Sequence, residues 1–346
     1  MSRTAKDKQL AAGIRFPRTG RFAARAVPPG AMALVLLLGM LSACARAPSA
    51  PASTQAAAPA ASQPATAPHG PVLFQPGVWI DWRRREVHVQ GRVVLREGAL
   101  EFLACLAGKE HESIVRIEAA ATHVYLGLGL IGLTPGRPPA WDRQTERYRP
   151  SAGDLVDITL VWQHDEQART ADACDWLRET EYARVPASRP WVFAGSLRAA
   201  DGSLSSDSTG VGIAVADFPD SLLCLSREHT SRNSELWVEA NTPAIPPVGT
   251  PVRLVLRPAR WHARRATLDL RGVLWVDGRY CSAADFADLI GLDRQLDAKF
   301  VQTVTIEGAL RSDAAAMRRA LLAAGVPEDA LRFVPDAPRL QSGALR

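Results

Sequence analysis

Glu86-Val87-His88-Val89-Gln90 alternates apolar and polar side chains with a period of two, the pattern of a strand with one face against a core. Just ahead of it, Val78-Trp79-Ile80-Asp81 reads as a partner strand, and Leu155 to Trp162 as a third, longer one. Shorter runs follow at Trp191–Gly195, Gly212–Val215, Glu235–Glu239 and Val252–Leu256, separated by Gly, Pro, Asp and Ser, the residues that favour turns. Ser113–Glu118 is one more strand. Gly98–Ala104 is expected as a short helix, and Ala119–Leu133 as an apolar helix ended by Thr134-Pro135-Gly136. The class predicted is α+β: a strand-rich mixed domain with few helices over residues 71–257.

Residues 258–346 carry a different pattern. Thr267–Leu270 and Val273–Val276 read as strands, Ala283–Ile290 as a helix capped by Ser282, and Val301–Ile306 as a strand. Ala314–Ala324 is a helix with Ser312 or Asp313 at its N-cap and Gly325 past its end, and Leu331–Val334 closes the pattern. A small ββαβαβ domain is predicted there.

The first 43 residues hold seven basic groups (Arg3, Lys6, Lys8, Arg15, Arg18, Arg21, Arg25) and one acid, Asp7. The remaining 34 basic and 35 acidic residues nearly cancel, so the formal charge of +5 belongs to this leader. A basic footprint for nucleic acid is therefore not expected on the folded part. Ala31–Leu41 is an apolar run followed directly by Leu41-Ser42-Ala43-Cys44. Eleven helical residues span about 16 Å, roughly half of a ~30 Å hydrocarbon core. That is the length of a signal-peptide core rather than of a membrane span. Leu-Ser-Ala-Cys resembles the lipobox of bacterial lipoproteins. The resemblance implies that residues 1–43 are removed and that the thiol of Cys44 receives a diacylglyceryl group, which with further acylation anchors the chain in a membrane. Ala45 follows the cysteine where lipoproteins kept in the inner membrane usually carry aspartate, which leans the expectation toward the outer membrane, with the protein facing the periplasm. Sixteen of the twenty-five residues from Ala45 to His69 are Ala or Pro. Such a segment cannot bury enough apolar area to offset its entropy, so residues 44–70 read as lipidated cysteine plus disordered tether, with a reach of ~30 Å as a coil and ~75 Å stretched as polyproline II.

Lys109-Glu110-His111-Glu112 is the best candidate site. Two carboxylates around an imidazole are the groups that bind a divalent metal or hold a base. In a strand only Glu110 and Glu112 would share a face, so further ligands would have to come from His88, His123 or His164. The bland alternative is a polar turn before Ile114, with Lys109 balancing charge. His164-Asp165-Glu166 reads as a hairpin loop. Cys224 with Ser226 and His229 lacks a nucleophile-elbow motif, and Leu222-Leu223-Cys224-Leu225 is the setting of a buried thiol. Gly127-Leu128-Gly129 lacks the Lys-Ser/Thr of a phosphate loop and reads as a site of close helix–sheet packing. Trp79, Trp82, Trp162, Trp191 and Trp237 read as core anchors, with a glycan-binding aromatic platform as the alternative. Cys105, Cys174, Cys224 and Cys281 are too far apart for an iron–sulfur motif. In an oxidising compartment a Cys105–Cys174 disulfide is expected.

Two stretches resemble the YdjY family of bacterial envelope proteins. One is Gly98-Ala99-Leu100-Glu101-Phe102-Leu103-Ala104-Cys105 running into Gly108-Lys109-Glu110-His111-Glu112-Ser113. The other is Trp191-Val192-Phe193-Ala194-Gly195-Ser196, with Ala244-Ile245-Pro246-Pro247-Val248-Gly249-Thr250-Pro251-Val252 further on. The resemblance implies an envelope setting and no particular activity. Residues 266–335 are faintly similar to the periplasmic domain of ExbD/TolR transport proteins, whose membrane helix this chain lacks after the leader. The reading is a lipid-anchored envelope protein without enzymatic activity or cofactor, a binding or structural module whose partner is an envelope protein or cell-wall glycan. The alternatives are a metal-dependent hydrolytic enzyme centred on Lys109 to Glu112, and an accessory subunit of an ExbD/TolR-like membrane complex.

Overall fold

The structure, a computed structural model, describes residues 70–335 apart from 143, 228, 233–234, 262 and 308–310. Cys44, the leader and the tether lie outside the described residues. Strands β1 (Val72–Gln75), β2 (Val78–Asp81) and β3 (Glu86–Val93) pair antiparallel in sequence order. The alternation in β3 works as the sequence suggests: Val87 and Val89 are fully buried, together with Val78 and Ile80 across from them.

Residues 98–104 do not form a helix. They lead into a strand, β4 (Phe102–Cys105), every residue of which is buried. β4 lies between β5 (Ser113–Ile117), to which it is parallel, and β12 (Ile213–Ala214), to which it is antiparallel. A short apolar run buried on both faces carries no periodicity that separates strand from helix, and here two flanking partners decide. Helix α1 (Ala121–Leu130) follows β5, shorter at both ends than the apolar run. Its Gly127 permits the expected close packing, since a Cβ there would stand 3.1 Å from Val87 Cγ1.

A small hairpin, β6 (Ala140–Asp142) with β7 (Arg147–Arg149), precedes the long strand β8 (Leu155–His164). β9 (Gln167–Asp172) returns along it through Asp165 and Glu166, both at positive φ, the two-residue turn that suits strand twist. β10 (Leu177–Glu179) pairs with β14 (Val238–Ala240). β11 (Trp191–Phe193), the short helix α2 (Ser205–Thr209), β12, β13 (Leu223–Cys224) and β15 (Pro251–Pro258) complete this part.

The order β3-β15-β8-β11-β13-β12-β4-β5 returns to β3, so these eight strands close into a mixed barrel. Closure works by forking. One side of β3 pairs with β15 along its length, while the other gives residues 86–89 to β2 and residues 91–93 to β5. β8 forks in the same way between β9 and β11. Gly91 stands at the first fork, where an added Cβ would meet Arg116 O at 2.7 Å and Val115 Cγ1 at 2.8 Å. Only glycine lets the two backbones approach that closely.

The C-terminal part forms a separate five-stranded sheet: β16 (Ala266–Leu268), β17 (Leu274–Val276), β18 (Arg279–Tyr280), β19 (Gln302–Ile306) and β20 (Leu331–Pro335), in the order β18-β17-β16-β19-β20. Helices α3 (Ala283–Leu296) and α4 (Arg311–Ala323) provide its crossovers. The ββαβαβ order is present, with β18 added as a hairpin strand. Ser282 caps α3 by accepting from Asp285 N. α3 outruns its expected end because Leu292 and Asp293, beyond Gly291, are also buried. Leu292 joins an apolar cluster with Phe102, Val192 and Cys224 of the barrel.

A buried ionic seam accompanies that contact. Arg189 reaches Asp288 at 3.2 Å and Asp285 at 3.5 Å on α3. Arg264 Nε donates to Asp293 Oδ2 at 2.9 Å, with side-chain exposures of 1% and 2%, and its Nη1 donates to Ser188 O. Among the described residues, no helix is long and apolar enough to cross a membrane.

Candidate functional site

The segment singled out from sequence lies on a turn between the parallel strands β4 and β5. Gly108 takes a positive φ of 101°, and Glu110–Glu112 winds into one 3₁₀ turn, so the strand rule that would place Glu110 and Glu112 on one face does not apply. The two carboxylates diverge. Glu110 accepts from Gly108 N at 2.8 Å and pairs with Arg116. Glu112 turns inward, with Lys109 Nζ at 3.4 Å and His111 Nε2 at 3.1 Å.

Its most consequential partner is Glu101, which sequence reading missed. Glu101 is 6% exposed, its backbone N donates to Glu112 O at 3.1 Å, and its carboxyl is hydrogen-bonded to that of Glu112. Burial pushes Glu101 up to about 7, and the hydrogen bond with Glu112 and its charge add to the rise. Burial also acts to raise Glu112, but the hydrogen bond with Glu101 and the charges of Lys109 and His111 outweigh it and hold that carboxyl low. The result is a carboxylic acid donating to a carboxylate, with Lys109 Nζ also 5.9 Å above the Phe102 ring. Such a pair can hand over or take up one proton near neutrality and can orient a polar ligand. The two stand eleven positions apart in sequence, and the parallel β4–β5 pairing brings them together.

The pair has a pH signature. Between 4.5 and 7 the folded chain keeps the Glu101 proton that the unfolded chain releases, so this group's contribution to stability falls as pH rises. Glu112 acts in the other sense and at lower pH: its contribution fades as pH falls below its ordinary value. His229, held down to about 3 by burial and by nearby Arg189 and Arg227, gives an opposite slope up to 6.5. The diagnostic is therefore a difference. Wild type minus Glu101→Gln, measured by urea unfolding at pH 4.5 and 7, is expected to decline with pH; equal slopes in the two proteins would remove the shared proton.

The other flagged residues do not gather here. His88 Nε2 contacts Glu86, and His164 lies at the β8–β9 turn beside Asp165. His123 sits on α1. Among the described residues, no three His, Cys, Asp or Glu side chains converge to hold a metal ion. Cys224, Ser226 and His229 form no triad: Ser226 Oγ donates to Asp288, and His229 stacks flat on Trp237 at 4.1 Å. Burial pushes the Cys224 thiol up to about 12.

The Cys105–Cys174 bridge is a correction. Cys105, Cys174, Cys224 and Cys281 are all free and buried. Cys105 has Glu110, Ser113 and Arg116 around it, whereas Cys174 has Asp172, Arg189 and Arg279. The polar residues flanking Cys174 in sequence form a capping box in which the Asp172 carboxylate accepts from Cys174 N. The thiol itself is buried.

A closed mixed barrel with a second sheet docked through buried arginines, and a proton-sharing carboxyl pair on a strand-connecting turn, defines a fold-and-site class. A family model, the YdjY domain, matches residues 78–257. No curated protein and no solved structure matches significantly. The match covers just over half of the chain, and the chain belongs to the YdjY-domain family. It begins at the first residue of β2 and stops one residue short of the end of β15, leaving the C-terminal sheet outside.

Proposed function

We propose that this protein is a lipid-anchored binding module of the cell envelope, held to a membrane through Cys44, facing the periplasm, and acting without catalysis. The observation that carries the reading is the order of segments at the N-terminus. An apolar run over Ala31–Leu41 ends in Leu41-Ser42-Ala43-Cys44, an Ala/Pro-rich stretch follows, and the first described strand begins at Val72. Cys44 lies ahead of that fold, whereas the other four cysteines are buried inside it. Ala45 favours the outer membrane. Supporting a binding role, the Glu101–Glu112 pair with Lys109, Glu110 and His111 is a polar cluster on a turn, able to orient a ligand.

Mass spectrometry of the native protein is expected to find Cys44 as the first residue, carrying acyl chains. Cys44→Ala should move the protein from the membrane to the soluble fraction. An uncleaved amino terminus with no acyl mass at position 44 would overturn both anchor and compartment. A hydrolytic reading centred on Lys109 to Glu112 has a separate observable, stoichiometric metal in the purified protein that is lost in His111→Ala.

A further inference from the structure

We infer that the solvent face of strands β2, β3, β15 and β8 binds an acidic glycan, an inference that gives a ligand class to the binding module proposed above. The four strands are consecutive neighbours. Gln90 lies directly across from Arg253, and Arg253 from Val161. Trp79, across from His88, is the diagonal neighbour of Gln90, and Gln163 lies two residues beyond Val161. Pleating puts these residues on one face, opposite the buried Val78, Val89, Leu254 and Leu160. Together they line a groove of about 340 Å³ that crosses three strand spacings, about 14 Å, enough for a short oligosaccharide.

The side chains in the groove are uncommitted. Gln90, Gln163 and Arg253 are exposed, and among the described residues their side chains make no hydrogen bond or ion pair. The contrast with their neighbours is informative. On the same face Arg92 pairs with Glu118 and Arg257 with Asp157, while Arg253 between them faces Gln90 and Val161. At the Trp79 end, His88 is 6% exposed, with Nε2 on Glu86 and Nδ1 without a partner.

This combination selects a ligand. An indole offers a flat apolar surface on which the C–H face of a sugar ring stacks. Two primary amides supply paired donors and acceptors for hydroxyl and acetamido groups. A guanidinium with no protein acid binds a carboxylate through a fixed fork of donors. A neutral sugar would leave Arg253 unused, and a small acid would leave Trp79 unused; a sugar bearing a carboxylate uses both.

The test is isothermal titration calorimetry on the full-length chain in detergent micelles. The probes are the N-acetylglucosamine–N-acetylmuramic acid disaccharide, whose lactyl group carries a carboxylate, and neutral chitobiose. Saturable binding of the acidic disaccharide is expected, about tenfold tighter than chitobiose. Trp79→Ala should weaken both sugars by about tenfold. Arg253→Gln, at an exposed position that leaves the core untouched, should bring the two sugars to equal affinity. No saturable heat with either sugar at millimolar concentration would overturn the proposal, as would a preference for the acidic sugar that survives Arg253→Gln. A null titration on a protein whose Cys44 carries its acyl mass would reject the groove and leave the anchored-module reading standing.

Discussion

Asp293→Ala is expected to destabilise the protein by about 3–5 kcal/mol. Among the described residues, the carboxylate it removes is the sole acid bonded to Arg264, and both side chains are almost wholly excluded from water. Arg264 cannot shed its proton, so truncating Asp293 leaves a full cation in the interior with, among the described residues, only Ser188 O as an acceptor. The pair itself stabilises far less than its breakage costs, because both ions lost their hydration on folding. The companion expectation is that Arg264→Met with Asp293→Leu recovers most of the loss. Urea midpoints of wild type, Asp293→Ala and the Arg264→Met/Asp293→Leu double variant measure both expectations. A single Asp293→Ala variant within 1 kcal/mol of wild type would mean that water reaches this seam. The same experiment probes the docking of the C-terminal sheet, since Arg264 ties the approach to β16 both to α3 and to Ser188 of the preceding part.

The second large effect is expected at the barrel seam. Gly91→Ala places a methyl 2.7 Å from Arg116 O and 2.8 Å from Val115 Cγ1, and the nearer atom is backbone in a paired strand. Relief requires β3 and β5 to separate where β5 replaces β2, weakening the pairs from Gly91↔Ile117 to Val93↔Val115. A cost of about 3 kcal/mol follows from overpacking alone. Gly129→Ala is the control. Its Cβ meets nothing within 4 Å, and it sits inside α1, so the same chemical change should be neutral or stabilising by up to about 1 kcal/mol. Equal destabilisation by the two substitutions would show that close approach at the fork is not what requires glycine.

These two sites mark the limits of local reading. The hairpins, the helix at Ala121–Leu130 and the alternating strands were legible because each is written in neighbouring residues: period-two patterns, the Ser282 cap and the Asp165-Glu166 turn. Phe102–Cys105 was misread as part of a helix because an apolar run buried on both sides has no period to read. The cysteine pairing failed for a related reason. Cys174 stands among polar residues in sequence, yet Asp172 and Asp175 fold back over the turn that holds it, so no local pattern reports where its thiol lies. Half of the candidate site was visible: Lys109 to Glu112 stand out by composition, while Glu101 is an ordinary glutamate until β4 and β5 align in parallel.

By itself the sequence determined the α+β class, the two-part pattern of the fold, the near-zero charge beyond residue 43 and the polar turn at Lys109–Glu112. Each of these is a sum over single residues or a repeat over a few. Tertiary structure alone decided that the strands close into a barrel, that Glu101 shares a proton with Glu112, and that Arg264 finds Asp293. Those outcomes depend on contacts between segments distant in the chain. Such pairings leave no local imprint, because an unpaired carboxylate or guanidinium is written with the same letters as a paired one, and only desolvation in the finished fold sets them apart.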